Sequence, residues 1–208
     1  MYTPGAFSEE RPDVIASFLE AHPVAQLVTM TGDGLVATPL PLMYEASDAG
    51  SGSLVGHVAR ANRQWAESTP ATEALAIFFG ANAYVSPNWY PSKAEHGKVV
   101  PTWNYETVHV RGALIAHDEP EWKLALVTRL TERHESRLAT PWSVGDAPAA
   151  YISAALNNIV GIEIRITSIQ AKRKLSQNRS VADVDGVIHG LTALGGSSAE
   201  VADAMREQ

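Results

Sequence analysis

The stretch Asn82 to Gly112, NAYVSPNWYPSKAEHGKVVPTWNYETVHVRG, sets Tyr84, Trp89, Tyr90, Trp103 and Tyr105 among turn formers and two histidines. Ala83 to Ser86 reads as a short extended piece, and Pro87 and Pro91 forbid regular ladder pairing just after it. Ser92 to Lys98 is polar with one glycine and reads as an exposed loop. From Val99 to Arg111 order returns, with apolar and polar residues alternating as in a half-buried strand. Gly112 is then a bulge or a point of close backbone approach. Rings beside an amide, a hydroxyl and an imidazole suit either a core whose polar tips find partners or a site for a flat conjugated ligand.

Toward the N-terminus, Ser8-Glu9-Glu10 ahead of Val14, Ile15, Phe18 and Leu19 predicts an N-capped amphipathic helix that stops at His22-Pro23. Val24 to Met30 and Leu35 to Tyr44, joined by Thr31-Gly32-Asp33-Gly34, predict a hairpin. Pro39 and Pro41 place its second arm at a sheet edge. Asp48 to Gly52 predicts a turn and Ser53 to Val58 a third strand, expected to run straight into a helix over Ala59 to Ala66. That junction carries His57, Arg60, Asn62 and Arg63. Free N–H groups, the helix dipole and a guanidinium make it either an anion site or a solvated basic turn.

Toward the C-terminus, Ala74 to Phe79 predicts a strand, and Asp118-Glu119-Pro120-Glu121 a capped start to a long helix. Trp122, Leu126, Leu130 and His134 recur at every fourth position of that helix, which makes His134 a packed or interface histidine. Pro148 to Ile159 predicts a short helix. In Gly161 to Ile169, Ile162, Ile164 and Ile166 share one strand face. Ala171 to Arg179 then gathers Lys172, Arg173, Lys174 and Arg179 with Ser176, Gln177 and Asn178: a snorkelling strand end, or a second arm of the anion site. Two short helices divided near Gly195-Gly196 are expected after Ser180.

The 208 residues, 45% hydrophobic and 19% charged, fit one domain with an appended helical piece. A net charge of -7 and a pI near 5.5 repel nucleic acid and anionic membranes, so DNA contact requires a local basic patch. The chain has no cysteine, which removes disulfides and thiolate chemistry. No apolar run reaches membrane-spanning length and no signal pattern opens the chain, so the cytoplasm is the expected location. G-x-G-x-x-G, P-loop and G-x-S-x-G patterns are missing, and no spaced metal-ligand set appears. Hairpin-linked strands with helices at the ends predict an α+β antiparallel barrel.

The motifs Tyr2-Thr3-Pro4 with Phe7, Gly56-His57-Val58-Ala59-Arg60-Ala61-Asn62 with Gln64-Trp65, and Ala83 through Tyr90 resemble one known family. Val100-Pro101-Thr102-Trp103-Asn104-Tyr105 with Val108-His109-Val110, His134-Glu135, Pro141-Trp142 and Lys172 through Asn178 continue the match in the same order. It is the family of PaiB-type FMN-binding negative transcriptional regulators, relatives of the pyridoxamine-phosphate-oxidase-like flavin split barrels. Arg63 departs from the pattern, which has proline there. The resemblance implies an antiparallel FMN-binding split barrel over residues 1–179, a helical extension over 180–208 packed on it, and a homodimer with FMN near the subunit interface. It implies that Arg60 and Asn62 hold the FMN phosphate. Thr102, Trp103 and Asn104 would meet the isoalloxazine, with Lys174, Gln177 and Asn178 completing the site and His57, Trp89 and His109 as further candidates. A basic patch of Lys172, Arg173, Lys174 and Arg179 could touch DNA. An FMN-dependent oxidoreductase is the competing expectation, and a haem-binding split barrel using His57, His109 or His134 a further one.

Overall fold

The computed structural model describes residues 1–47, 50–69 and 73–208. The first residues of the turn expected at Asp48 to Gly52 lie outside that set. In chain order the elements open with β1 (Ser8–Glu9), α1 (Pro12–Ala21), β2 (Val24–Thr31), β3 (Gly34–Pro41), β4 (Met43–Ser47) and β5 (Gly50–Ala59). Then come α2 (Gln64–Glu67), β6 (Ala74–Val85), α3 (Ser92–His96), β7 (Thr102–His117), α4 (Pro120–Glu135) and α5 (Ala149–Leu156). The chain ends with β8 (Ile159–Lys174), α6 (Val181–Leu194) and α7 (Gly196–Arg206).

The strands form one antiparallel sheet in the order β3-β2-β6-β7-β8-β5-β4, with β1 beside β8. The fold is an α+β split β-barrel. The β2–β3 hairpin runs in register from Val24 opposite Pro41 to Thr31 opposite Gly34. β3 carries both prolines at the sheet edge, where their missing N–H groups leave no ladder bond unmade. The second arm of the hairpin nevertheless ends at Pro41. Leu42 donates its N–H back to Pro23, and the chain departs as β4 to pair with β5.

Two further expectations change. Ser8 and Glu9 do not cap α1; they form β1 opposite Lys172 and Ala171. Glu9 instead takes hydrogen bonds from the Arg11 N–H at 2.9 Å and from its guanidinium. The loop expected at Ser92 to Lys98 coils into α3, closed by Gly97 in the left-handed region at φ 66°.

By its internal packing the chain divides into two units, and β6, β7 and β8 each pass through both. The first comprises Met1–Phe18, Phe79–Val108 and Gln170–Gln208. Its core is Val85, Tyr90, Leu175, Val187, Leu191, Val201, Ala202 and Met205. Gly186 and Gly190 stand one turn apart on α6, and a Cβ on either would overlap Trp89, at its carbonyl or its ring. The helices after Ser180 belong to the same unit as residues 79–108.

The second unit comprises Leu19–Phe78 and His109–Ile169. Here Trp122, Leu126 and Leu130 of α4 pack on Met43 and Val55, as the fourfold spacing predicts. His134, the last member of that stripe, is exposed. Gly112 proves to be a close approach, because a Cβ there would strike the backbone of Arg165.

Candidate functional site

In the first unit, alternation along β7 sends Trp103 and Tyr105 to one face and Thr102, Asn104 and Glu106 to the other. Trp103 remains 54% exposed and Tyr84 47% exposed. The two rings meet edge to face with centroids 6.1 Å apart. Large rings left open to solvent as a contacting pair are what a binding surface requires. Beside them Lys174, at the end of β8, donates Nζ to Thr102 Oγ1 at 2.6 Å and to the Trp103 carbonyl. Lys172 and Lys174, two residues apart on one strand, both lie over the Tyr105 ring, at 5.2 and 5.8 Å from its centroid. Burial, with the charges of Lys172 and Arg179, lowers the proton affinity of Lys174.

Other expected site residues serve the scaffold. Asn104 is fully buried, donating its amide N–H to Ser176 Oγ at 2.9 Å and to Met205 sulfur, and accepting from Ser176 Oγ. It ties β7 to the turn after β8. Within that turn Ser176 adopts φ 68°, a conformation uncommon for a residue with a Cβ. Gln177 spans it, accepting from Leu175 N at 2.8 Å and donating to the Arg173 carbonyl at 2.6 Å. Trp89 packs on α6 through the two glycines, and Asn178 is exposed. Arg173, also placed in a basic patch, is mostly buried and bonds Glu106 at 2.6 Å. Lys172 is 9% exposed and donates to the Tyr2 carbonyl. Lys172 and Arg173 are therefore folded inward, while Lys174 and Arg179 stay half-buried.

In the second unit, β5 does not run directly into a helix. Residues 60–63 form a turn, and α2 is a single turn beginning at Gln64. Three N–H groups here are bonded: Arg60 N to the Asn158 carbonyl, Asn62 N to the Ala59 carbonyl and Gln64 N to Asn62 Oδ1. The Arg60 guanidinium is likewise committed. Nη1 and Nη2 clasp Asp118, Nε donates to the Asn157 carbonyl at 2.7 Å, and Nη2 also reaches the Ile159 carbonyl at 3.2 Å. Asn62 gives its amide N–H to Thr38 Oγ1 at 3.0 Å. The junction read as either an anion site or a solvated basic turn thus has its guanidinium bonded to Asp118 and two carbonyls while remaining 38% exposed.

Asp118, which the sequence offers as a helix cap, instead joins Arg60 and the buried Lys123, while Glu119 takes the N-cap position without a side-chain bond. Only the acidic residue type hinted at such a role. His57 keeps a buried Nδ1 without a hydrogen-bond partner, and burial holds the imidazole toward its neutral form. Burial acts on His109 in the same direction.

A family model described as "Putative FMN-binding domain" matches residues 1–168. The chain is 32% identical over 193 residues to the protease synthase and sporulation protein PAI 2 of Bacillus subtilis, covering 92% of this chain and 89% of that one. An uncharacterised protein of Emericella nidulans is 29% identical over 244 residues, covering 100% and 97% of the two chains. Among solved structures, the fold is shared with the flavocytochrome Anf3 of Azotobacter vinelandii (TM-score 0.57, 13% identity, 80% of this chain and 69% of that one). It is shared also with a FAD- and haem-binding protein of Mycobacterium smegmatis (TM-score 0.57, 13% identity, 91% and 80%). The chain belongs to the FMN-binding split-barrel family that its motifs resemble, and FMN is its cofactor. The Trp103–Tyr84 pair beside Lys174 has the chemistry for such a group: open aromatic faces for a conjugated ring and cations for an anionic one.

Proposed function

We propose that the chain is a PaiB-type negative regulator whose working part is an FMN site in the first unit, centred on Trp103, Tyr84 and Lys174. The observation that carries this reading is the open Trp103–Tyr84 pair next to an anchored, partly desolvated ammonium. When bound, FMN supplies one- and two-electron transfer; the protein supplies position and charge. Trp103 and Tyr84 would offer faces to the ring, and Lys174, braced by Thr102, would present a cation whose direction is fixed. Replacing Trp103 by alanine should weaken FMN binding several-fold in a flavin-fluorescence titration. An unchanged affinity would move the site elsewhere.

Regulation in this reading does not run through contact of the basic stretch with DNA. Lys172, Arg173 and Lys174 spend donors on Tyr2, Glu106, Thr102 and Trp103, and the chain carries a net charge of -7. A mobility-shift assay at low salt is expected to show no duplex binding; a salt-sensitive shift lost in Arg179→Gln would overturn this part. A homodimer and a cytoplasmic location belong to the same proposal, and light scattering tests the first. No helix among the described residues is long and apolar enough to cross a membrane.

The exposure of Trp103 also favours a second reading, an FMN-dependent oxidoreductase, since a flavin lying there is open to a small reductant or substrate. Sustained bleaching of bound FMN by NAD(P)H with turnover would select it. Haem enters only through fold likeness at 13% identity, which carries the fold and no ligand.

A further inference from the structure

Lys174 Nζ is held by two acceptors, the Thr102 hydroxyl at 2.6 Å and the Trp103 carbonyl. An ammonium has three N–H donors and no lone pair. Two of the three are committed to those partners, and the third is the one a base can take. Its loss leaves both bonds made, because a neutral amine keeps two N–H groups. The lone pair then points where the third proton stood, from a nitrogen that cannot swing away.

The surroundings favour that loss. Lys172, two residues back on β8, stands over the same Tyr105 ring, at 5.2 Å from its centroid against 5.8 Å for Lys174. Lys172 is 9% exposed, so little water screens its charge. Glu106 on β7 is taken by Arg173 at 2.6 Å, and among the described residues no carboxylate stands within salt-bridge distance of Lys174. Burial, then the charges of Lys172 and Arg179, accordingly lower its proton affinity. A partly desolvated lysine beside a second cation is the arrangement that makes an amine nucleophilic near neutral pH. The open Trp103 and Tyr84 rings supply a flat surface next to it, and because the Trp103 carbonyl is one of the two acceptors, ring and amine are tied to a single backbone position. Lys93 and Lys98, by contrast, are exposed.

We infer that Lys174 is a reactive amine that captures a small aromatic aldehyde as an imine on the Trp103–Tyr84 face. The ammonium first gives its third proton to water. The free amine adds to the carbonyl carbon, forming the C–N bond, and one N–H proton passes to the oxygen. The C–O bond then breaks and the oxygen leaves as water with the second N–H proton, so nothing is oxidised or reduced. Protonation of the imine restores one N–H for the Thr102 hydroxyl or the Trp103 carbonyl. The neighbouring rings select an aromatic aldehyde over an aliphatic one. This chemistry needs no flavin, and a flavin lying on Trp103 as proposed above would compete with the aldehyde for the same face.

The test treats the full chain with benzaldehyde and sodium cyanoborohydride, which traps the imine as a secondary amine, and reads the labelled lysines by peptide mass spectrometry from pH 6 to pH 10. At pH 7, Lys174 is expected to label about 5-fold or more faster than Lys98, the exposed reference in the same chain. Lys172→Gln should move the Lys174 profile to higher pH, and Lys172→Arg, which keeps the charge, should leave it in place. Lys174 labelled no faster than Lys98, or a profile that ignores the charge at position 172, would overturn the inference. The comparison with Lys98 needs no variant, so it decides the matter if Lys172→Gln does not fold. Benzaldehyde should outpace propanal at Lys174 by about 3-fold more than at Lys98, and Trp103→Ala should remove that margin. Equal margins in wild type would overturn the aromatic class. Repeating the labelling with saturating FMN separates the two readings: protection of Lys174 supports both, whereas undiminished labelling with FMN bound keeps the amine and contradicts a flavin on Trp103.

Discussion

Asp118 faces Arg60 with both carboxylate oxygens, Nη1 donating to Oδ2 at 3.0 Å and Nη2 to Oδ1, while the buried Lys123 donates to the same Oδ1 at 2.9 Å. One carboxylate thus ties the turn after β5 to the start of α4. The Arg60 guanidinium, followed by Lys123, holds the Asp118 carboxyl well below the usual carboxylate range. A depressed carboxyl gives stability that is full above its unfolded pKa and is lost as pH falls through the folded one. Asp118→Asn, which also strands the Lys123 ammonium, should lower the melting temperature at neutral pH by several degrees and lose less stability than wild type on acidification. Parallel melting curves from pH 7 to pH 3 check both signs.

Glycine at the α6 contact with Trp89 gives a prediction opposite to helix propensity. Gly190→Ala would ordinarily gain about 1 kcal/mol in a helix interior. Here the new methyl would overlap the indole, so a loss of about 1–3 kcal/mol is expected in urea denaturation. A stabilised variant would mean that Trp89 lies elsewhere.

Asn104 is argued to be structural. Asn104→Leu should cost about 2 kcal/mol, because Ser176 loses its partner inside the core. The absorption of any bound flavin should keep its band positions. A shifted flavin spectrum with unchanged stability would restore Asn104 to the ring site.

His57 and His109 set a limit toward acid. Burial lowers both pKa values, so the unfolded chain binds more protons below its own histidine pKa, near 6.5. Stability is then full above that value and falls as pH drops through the window beneath it. His57→Gln should flatten part of the decline between pH 6.5 and pH 5, read as the denaturation midpoint at each pH.

Much of the fold was legible because burial writes itself into period. The alternating isoleucines of β8, the Trp122–Leu126–Leu130 stripe of α4, the Thr31–Gly34 turn and the divide at Gly195-Gly196 all appear where side-chain spacing or backbone freedom demanded them. Element ends were less legible. β8 continues through polar Lys172 and Lys174 because β1 pairs with its end, a long-range contact with no local signature. In sequence the basic stretch reads equally as a snorkelling strand end or a second arm of an anion site, because sequence gives charge and not partners. Its inward turn depends on Tyr2, Glu106 and Thr102, all distant in the chain. Likewise Arg60 and Asn62 were legible as special residues, while the structure assigns their donors to Asp118, Thr38 and backbone carbonyls.

The most direct measurement is the visible absorption spectrum of freshly purified protein before and after addition of FMN, with the chromophore released and identified. About one FMN per chain, weakened in Trp103→Ala, is the expected result. A colourless protein whose spectrum with FMN is the sum of the two separate spectra would contradict it.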